Sequence, residues 1–237
     1  MKIALLGYGK MGHEVETIAI EHGHSIELIL DNEDDWANNA ALLKNCDVAI
    51  EFSIPKIAIE NMSKCFTAGV PVVVGTTGWY DQLEQVTALC NAGNGTLFYS
   101  SNFSIGVNIF FDINRRLASL LESYPVYLPS MTEIHHTQKL DAPSGTAITL
   151  AKDIITSNSN FTKLTSGKPE QGEIPVYSLR EGNTTGTHTI TWSSDIDQIT
   201  ITHEAHNRKG FALGAVMAAS WVQGRKGVFT MKDMLDL

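Results

Sequence analysis

The segment Glu133 to Ala147, EIHHTQKLDAPSGTA, gathers two imidazoles, an ammonium group, carboxylates and a helix start in one short stretch. His135 and His136 are adjacent, so in extended chain their side chains leave opposite faces and two roles are expected rather than one. Lys139 and Asp141 follow, Pro143 interrupts the chain, and Ser144 reads as the N-cap of a helix running through Leu150 and Ala151. The first amides of such a helix, at Gly145 and Thr146, have no partner within it and attract a carboxylate. This combination can hold a dianionic small molecule and move a proton to it, the chemistry of a dicarboxylate reductase. A capped helix preceded by surface polar residues explains Ser144 but leaves His135, His136 and Lys139 without a role.

A reductase also needs a hydride source, and GYGKMG at Gly7 to Gly12 fits GxGxxG between an expected strand and an expected helix. Gly7 permits the tight turn, Gly9 the approach of a pyrophosphate and Gly12 close helix–strand packing, with Tyr8, Lys10 and Met11 filling the loop. The motif alone also describes an ordinary Gly-rich turn. Asp31, just after SIELIL, stands where a carboxylate accepts hydrogen bonds from an adenine ribose; a turn or helix-capping Asp is the alternative. The acids Glu33, Asp34 and Asp35 beside it, without an Arg, favour NADH over NADPH on Coulomb grounds. Gly75, Thr76 and Thr77 end VPVVVG, where open α/β sheets place ligands, although a plain strand-end turn reads the same way.

Other polar residues carry less. His188, His203 and His206 lie on or beside alternating strands, where core or surface histidines are common. Arg180 and Arg208 either anchor substrate or pair with carboxylates across a sheet. Without HExxH or paired thiolates, no metal is expected.

The elements that must position these groups alternate at first: KIALLG, a helix from Met11 to His22, SIELIL, a polar connection to DVAIEFS, a helix from Pro55 to Ala68, VPVVVG, a helix from Trp79 to Ala92, then TLFYSS. That order predicts an α/β fold, a doubly wound parallel sheet of the Rossmann type. After Asn102 come an amphipathic stretch, Ile105 to Leu121, a strand into EIHH, and three alternating runs, IPVYSLR, THTITWSS and QITITHEAH. These predict a smaller α+β domain with a mixed or antiparallel sheet. Asn158 to Glu173 reads as a mobile loop; Phe211 to Gln223 and Met231 to Leu235 read as helices packing back on the first sheet. The expected domains are 1–103 with 212–237 for the dinucleotide, and 104–211 for substrate and assembly.

The 237 residues carry a net charge of -9, which disfavours nucleic acid and anionic membranes as partners. No apolar stretch reaches the roughly 20 residues of a membrane span. Three cysteines, widely spaced and without CxxC, suggest neither disulfides nor zinc and fit a reducing cytoplasm.

Beyond the residues read singly, GYGKMG, EFSIP, VVGTTG, SNFSIGVN, EIHHTQKLDAPSGTA, REG with GTHTI, and HEAHNRKGFALGA together resemble the dihydrodipicolinate reductase family over nearly the whole chain. The resemblance implies NAD(P)H-dependent reduction in the diaminopimelate route to lysine. It also implies His135 as proton donor, Lys139 as a second donor, His136 as a substrate-binding residue, and Ser144, Gly145 and Thr146 around a substrate carboxylate. Ser100, Ser101, Asn102 and Phe103 would join the cofactor site, and the second domain would build a homotetramer. The sequence departs from the family in its shortness, in Ser100 and Ser101 where Ala and Pro are common, and in Thr187 before His188.

Overall fold

The computed structural model describes residues 1–207 and 209–237. Two compact units emerge, 1–105 with 209–237 and 106–207.

The first unit alternates β1 (Lys2–Leu6), α1 (Lys10–Glu21), β2 (Ser25–Leu30), α2 (Glu33–Asn39), β3 (Val48–Glu51), α3 (Pro55–Ala68), β4 (Val72–Val74), α4 (Leu83–Ala92) and β5 (Thr96–Tyr99). The end of the chain returns α7 (Lys209–Trp221), β11 (Gly227–Phe229) and α8 (Met231–Leu235) to it. Its sheet has the order β11-β5-β4-β3-β1-β2, all pairings parallel. The strands are near-continuous apolar runs because both faces are covered. On one face Ala4, Leu6, Ala49, Val72 and Val74 meet Met62, Cys65 and Phe66 of α3. On the other Ile3, Leu5, Val48 and Phe98 meet Val15 and Ile18 of α1 and Ala212, Ala215 and Ala219 of α7.

The polar connection expected before β3 instead contains α2 and a 3-10 turn over Ala40–Asn45. Asn32 caps α2 by accepting from Asp35 N–H at 3.0 Å, while Asp35 accepts from Asn32 N–H at 3.2 Å, so two N-terminal amides are satisfied reciprocally. No side chain of α2 is buried, which is why no apolar period announced it.

The second unit holds α5 (Ile105–Leu121, its first residue counted with the first unit), β6 (Leu128–His135), α6 (Gly145–Ser157), β7 (Lys163–Thr165), β8 (Glu173–Arg180), β9 (Thr187–Ser193) and β10 (Gln198–Glu204). The sheet order is β10-β9-β6-β8-β7, with β6, β8 and β7 parallel and β9 antiparallel to its neighbours. Alternate residues of β6 and β9 are buried, and Met131, Val176, Ile190 and Trp192 pack with Phe110, Leu150 and Ile154 of the helices. The stretch 158–173, expected as a loop, contains β7 on the sheet's edge. The cysteines are buried and unpaired. Among the described residues no helix is long and apolar enough to cross a membrane.

Candidate active site

In the first unit the chain leaves β1 through Gly7, whose φ of +89° suits glycine and whose amide donates to Leu30 O at 3.0 Å. A Cβ on Gly12 would lie 2.7 Å from Gly7 O, so the helix can sit this close only without a side chain there. Gly9 is the N-cap of α1; no side chain caps this helix, and its first turn has no acid. The helix start borders a cavity of about 460 Å³ lined by Gly9, Lys10, Met11, Phe52, Ser53, Pro55, Gly75, Thr76 and Thr77. Uncapped amides, a lysine and open space at Gly9 fit a dinucleotide pyrophosphate, and the strand-end threonines fit its nicotinamide half.

Asp31 is exposed and accepts from Tyr8 N–H at 2.6 Å, so its carboxylate braces the glycine turn. It is not the helix cap, a part Asn32 takes. Tyr8 hydroxyl donates to Glu16. Ser100 hydroxyl donates to Asn102 O at 2.7 Å and accepts from Asn102 N–H at 3.1 Å, fixing the turn that also carries the exposed Ser101. The Phe103 ring is buried against Phe52 and Phe98, so a ligand can meet only its backbone. Beside this cradle lies Glu51, fully buried at the end of β3, accepting from the Ser53 hydroxyl and from Ser53 N–H at 3.2 Å. Desolvation raises its pKa against those hydrogen bonds. Sequence reading passed over it; a carboxylate inside VAIE was the available signal.

In the second unit, Glu133 and His135 are two residues apart on β6 and both point inward. Register places Ser178 and His188 beside Glu133, and Arg180 beside His135. Glu133 is 0% exposed. Ser144 N–H donates to both its oxygens, each at 3.1 Å, and Ser178 hydroxyl donates to Oε1 at 2.7 Å. Desolvation pushes its pKa up, but His188 Nε2 at 3.7 Å and the hydrogen bonds from Ser144 and Ser178 outweigh it and hold the carboxyl at about 2. His188 Nε2 lies 3.1 Å from Ser144 Oγ, which also accepts from Ala147 N–H at 3.2 Å as the cap of α6.

His135 is 7% exposed, and its Nδ1 is buried without a hydrogen-bond partner, 3.8 Å from Glu133 Oε2. Its ring meets that of His188 edge-on, centroids 5.0 Å apart. Burial first, then His188, Lys139 and Arg180, lower its pKa to about 4 against the pull of Glu133. With that pKa the ring is neutral at neutral pH, whereas the family resemblance implies a proton donor.

The loop after β6 is clipped by Arg180, which donates to Lys139 O at 3.2 Å and Asp141 O at 2.7 Å. Arg180 is thus a brace for this loop. Lys139 Nζ donates to both oxygens of Asp141, at 2.8 and 2.9 Å. His136 is half-buried and lines a cavity of about 280 Å³ with Gln138, Asn183 and Thr185, none of them foreseen. Gly145 is exposed and Thr146 half-buried at the start of α6. The structure thus brings His135 and Ser144 into one network with two residues that sequence reading missed, Glu133 and His188. His203 is half-buried 6.1 Å from the Phe110 ring, His206 is exposed, and Arg208 lies outside the described residues. Among the described residues, Glu133, His135 and His188 are the group close enough to share a metal ion, their atoms within 4.8 Å of one another. The carboxylate is already taken by hydrogen bonds from Ser144 and Ser178, and the two histidines face it at 3.8 and 3.7 Å.

The family model described as the N-terminus of dihydrodipicolinate reductase matches residues 1–103, and that of its C-terminus residues 106–235. A 4-hydroxy-tetrahydrodipicolinate reductase of Christiangramia forsetii is 47% identical over 236 residues, spanning 100% of this chain and 98% of that one. Its counterpart in Methanoregula boonei is 38% identical over 198 residues, 82% of this chain and 76% of that one. Among solved structures, the dipicolinate-bound dihydrodipicolinate reductase from Paenisporosarcina sp. TG-14 superposes with a TM-score of 0.78 at 24% identity, over 99% of both chains.

Proposed function

The chain belongs to the dihydrodipicolinate reductase family, and from that premise we propose how its two units divide the work. The reaction is hydride transfer from a nicotinamide nucleotide to the dehydrated 4-hydroxy-tetrahydrodipicolinate ring, giving tetrahydrodipicolinate in lysine biosynthesis by the diaminopimelate pathway. Bound NAD(P)H supplies the hydride.

In this reading residues 1–103 and 212–237 hold the nucleotide through Gly7 to Gly12, Asp31, Gly75 to Thr77 and the turn Ser100 to Phe103. NADH is the preferred reductant, because Asp31 and the acids behind it repel a 2′-phosphate. Residues 104–211 hold the small dicarboxylate. One carboxylate takes the amides of Gly145 and Thr146 beside Ser144, at the start of α6, and the other takes His136. His135 and Lys139 handle the proton that follows the hydride. Substrate carboxylates near His135 favour its charged form against the burial that lowers its pKa. The observation that carries the reading is the buried cluster in which Glu133, 3.8 Å from His135 Nδ1, accepts from Ser144 N–H at the start of α6. The unpaired cysteines support a reducing cytoplasm, and the exposed face of the second sheet supports assembly into a homotetramer.

Incubating the protein with the product of dihydrodipicolinate synthase should oxidise NADH, followed by loss of nicotinamide absorbance, at higher kcat/KM than NADPH. No oxidation of either would end the reductase reading, and a strong NADPH preference would end the Asp31 argument.

A further inference from the structure

We propose that Glu133 and His188 are opposed positioning residues that fix the ring of His135 and set, from opposite directions, how readily it holds a proton. The inference rests on the reading of His135 as a proton-handling group.

Glu133 has no freedom of its own. Both oxygens are held by Ser144 N–H at the start of α6, and Oε1 also by Ser178 hydroxyl on β8. From that anchored position Oε2 faces His135 Nδ1 at 3.8 Å and His188 Nε2 at 3.7 Å. Nδ1 is buried and has no hydrogen-bond partner, so a proton there is best stabilised by the carboxylate before it. At 3.8 Å the carboxylate acts on the ring by its charge rather than through a hydrogen bond, and Nε2 is left as the nitrogen that works on substrate.

His188 enters from the neighbouring strand β9, directly opposite Glu133 in register. Its Nε2 is pinned at 3.1 Å from Ser144 Oγ, and its ring stands edge-on to His135. The charges facing His135 come from every element around it: Glu133 on β6 favours the imidazolium, while His188 on β9, Arg180 on β8 and Lys139 on the following loop disfavour it. Removing one member of the pair should therefore move the titration of His135 one way, and removing the other should move it back. A purely structural role in holding α6 would give no such opposition.

The test is the pH dependence of kcat, which reports groups in the substrate complex, in wild type, His135→Ala, Glu133→Gln and His188→Gln, with thermal melting by circular dichroism as the folding control and NADH affinity measured by fluorescence titration. The limb on which the rate falls as pH rises follows loss of the His135 proton. Glu133→Gln should move this limb down by about 1 pH unit, the lower end of what an opposite charge at this range exerts, and His188→Gln should move it up. NADH affinity should stay within about twofold, since the substitutions lie in the second unit. If His135→Ala retains the wild-type limb, the proton reading of His135 falls. If His135→Ala loses the limb but the other two variants keep it in place, or shift it in the same direction, the positioning inference alone falls. Should Glu133→Gln fail to fold, as loss of the cooperative melting transition by circular dichroism would reveal, His188→Gln decides by itself: no upward shift overturns the inference.

Discussion

Lys139 is held by an acid it can leave. Its ammonium donates to both oxygens of Asp141, whose carboxyl that hydrogen bond keeps below the usual range, yet the Asp141 side chain is 60% exposed. An exposed pair of this kind contributes about 1 kcal/mol or less, so an incoming carboxylate can exchange for Asp141 at little cost. The backbone beneath does not move with it, because Arg180 grips the carbonyls of Lys139 and Asp141. Lys139→Ala should lower kcat by roughly 10²–10⁴-fold, the usual worth of a general acid, with NADH affinity unchanged. Steady-state kinetics with an equilibrium NADH titration checks this; a kcat within tenfold of wild type would remove Lys139 from the proton chemistry. His135, His136 and Lys139 stand out in the sequence because two imidazoles and an ammonium group fall within one short segment. Glu133 was legible in principle, two residues from His135 on an alternating strand. His188 was not, since its part depends on β9 lying opposite β6 in one register, and register is a property of the folded sheet.

At the scale of elements, the start of α6 carries two duties on one residue. Ser144 gives its amide to Glu133 and its hydroxyl oxygen to Ala147 N–H, so helix capping and the buried network share an anchor. Ser144→Ala should cost about 1 kcal/mol in thermal unfolding, as loss of an N-cap does, and should also raise KM for the dicarboxylate while leaving KM for NADH alone. A change in stability without a change in substrate KM would show that this helix start does not meet substrate. The cap was readable because Ser before Gly-Thr-Ala states it locally, and α3 and α8 were readable to the residue for the same reason, Pro55 opening one and an apolar period marking the other. The elements that escaped have no local voice. β7 and β11 are three residues each and exist only because a neighbouring strand offers partners, and α2 is acidic and exposed, held by the Asn32–Asp35 box.

At the scale of the molecule, the second sheet leaves one face uncovered. Thr189 pairs with Thr202 at 3.1 Å and Thr191 with Thr200 at 3.2 Å across β9 and β10, while Leu128, Tyr177 and Leu179 are exposed on β6 and β8. A flat face of threonines and exposed apolar side chains suits burial against other copies, whereas the charges that usually blunt such a face are missing from β9. Thr191→Lys should convert the expected tetramer to smaller species in light scattering; an unchanged mass would place assembly elsewhere. The first unit is assembled from two separate stretches of the chain. Its sheet takes a strand, and one of its faces takes α7, from residues beyond 208, so Ile3, Leu5 and Val15 meet Ala212, Ala215 and Ala219 only once α7 has been made. The segment 106–207 has by then left the ribosome with all its own strands. The second unit therefore has all its strands before the first unit receives α7 and β11, and the apolar residues of β1 that α7 covers stay open for that interval of synthesis.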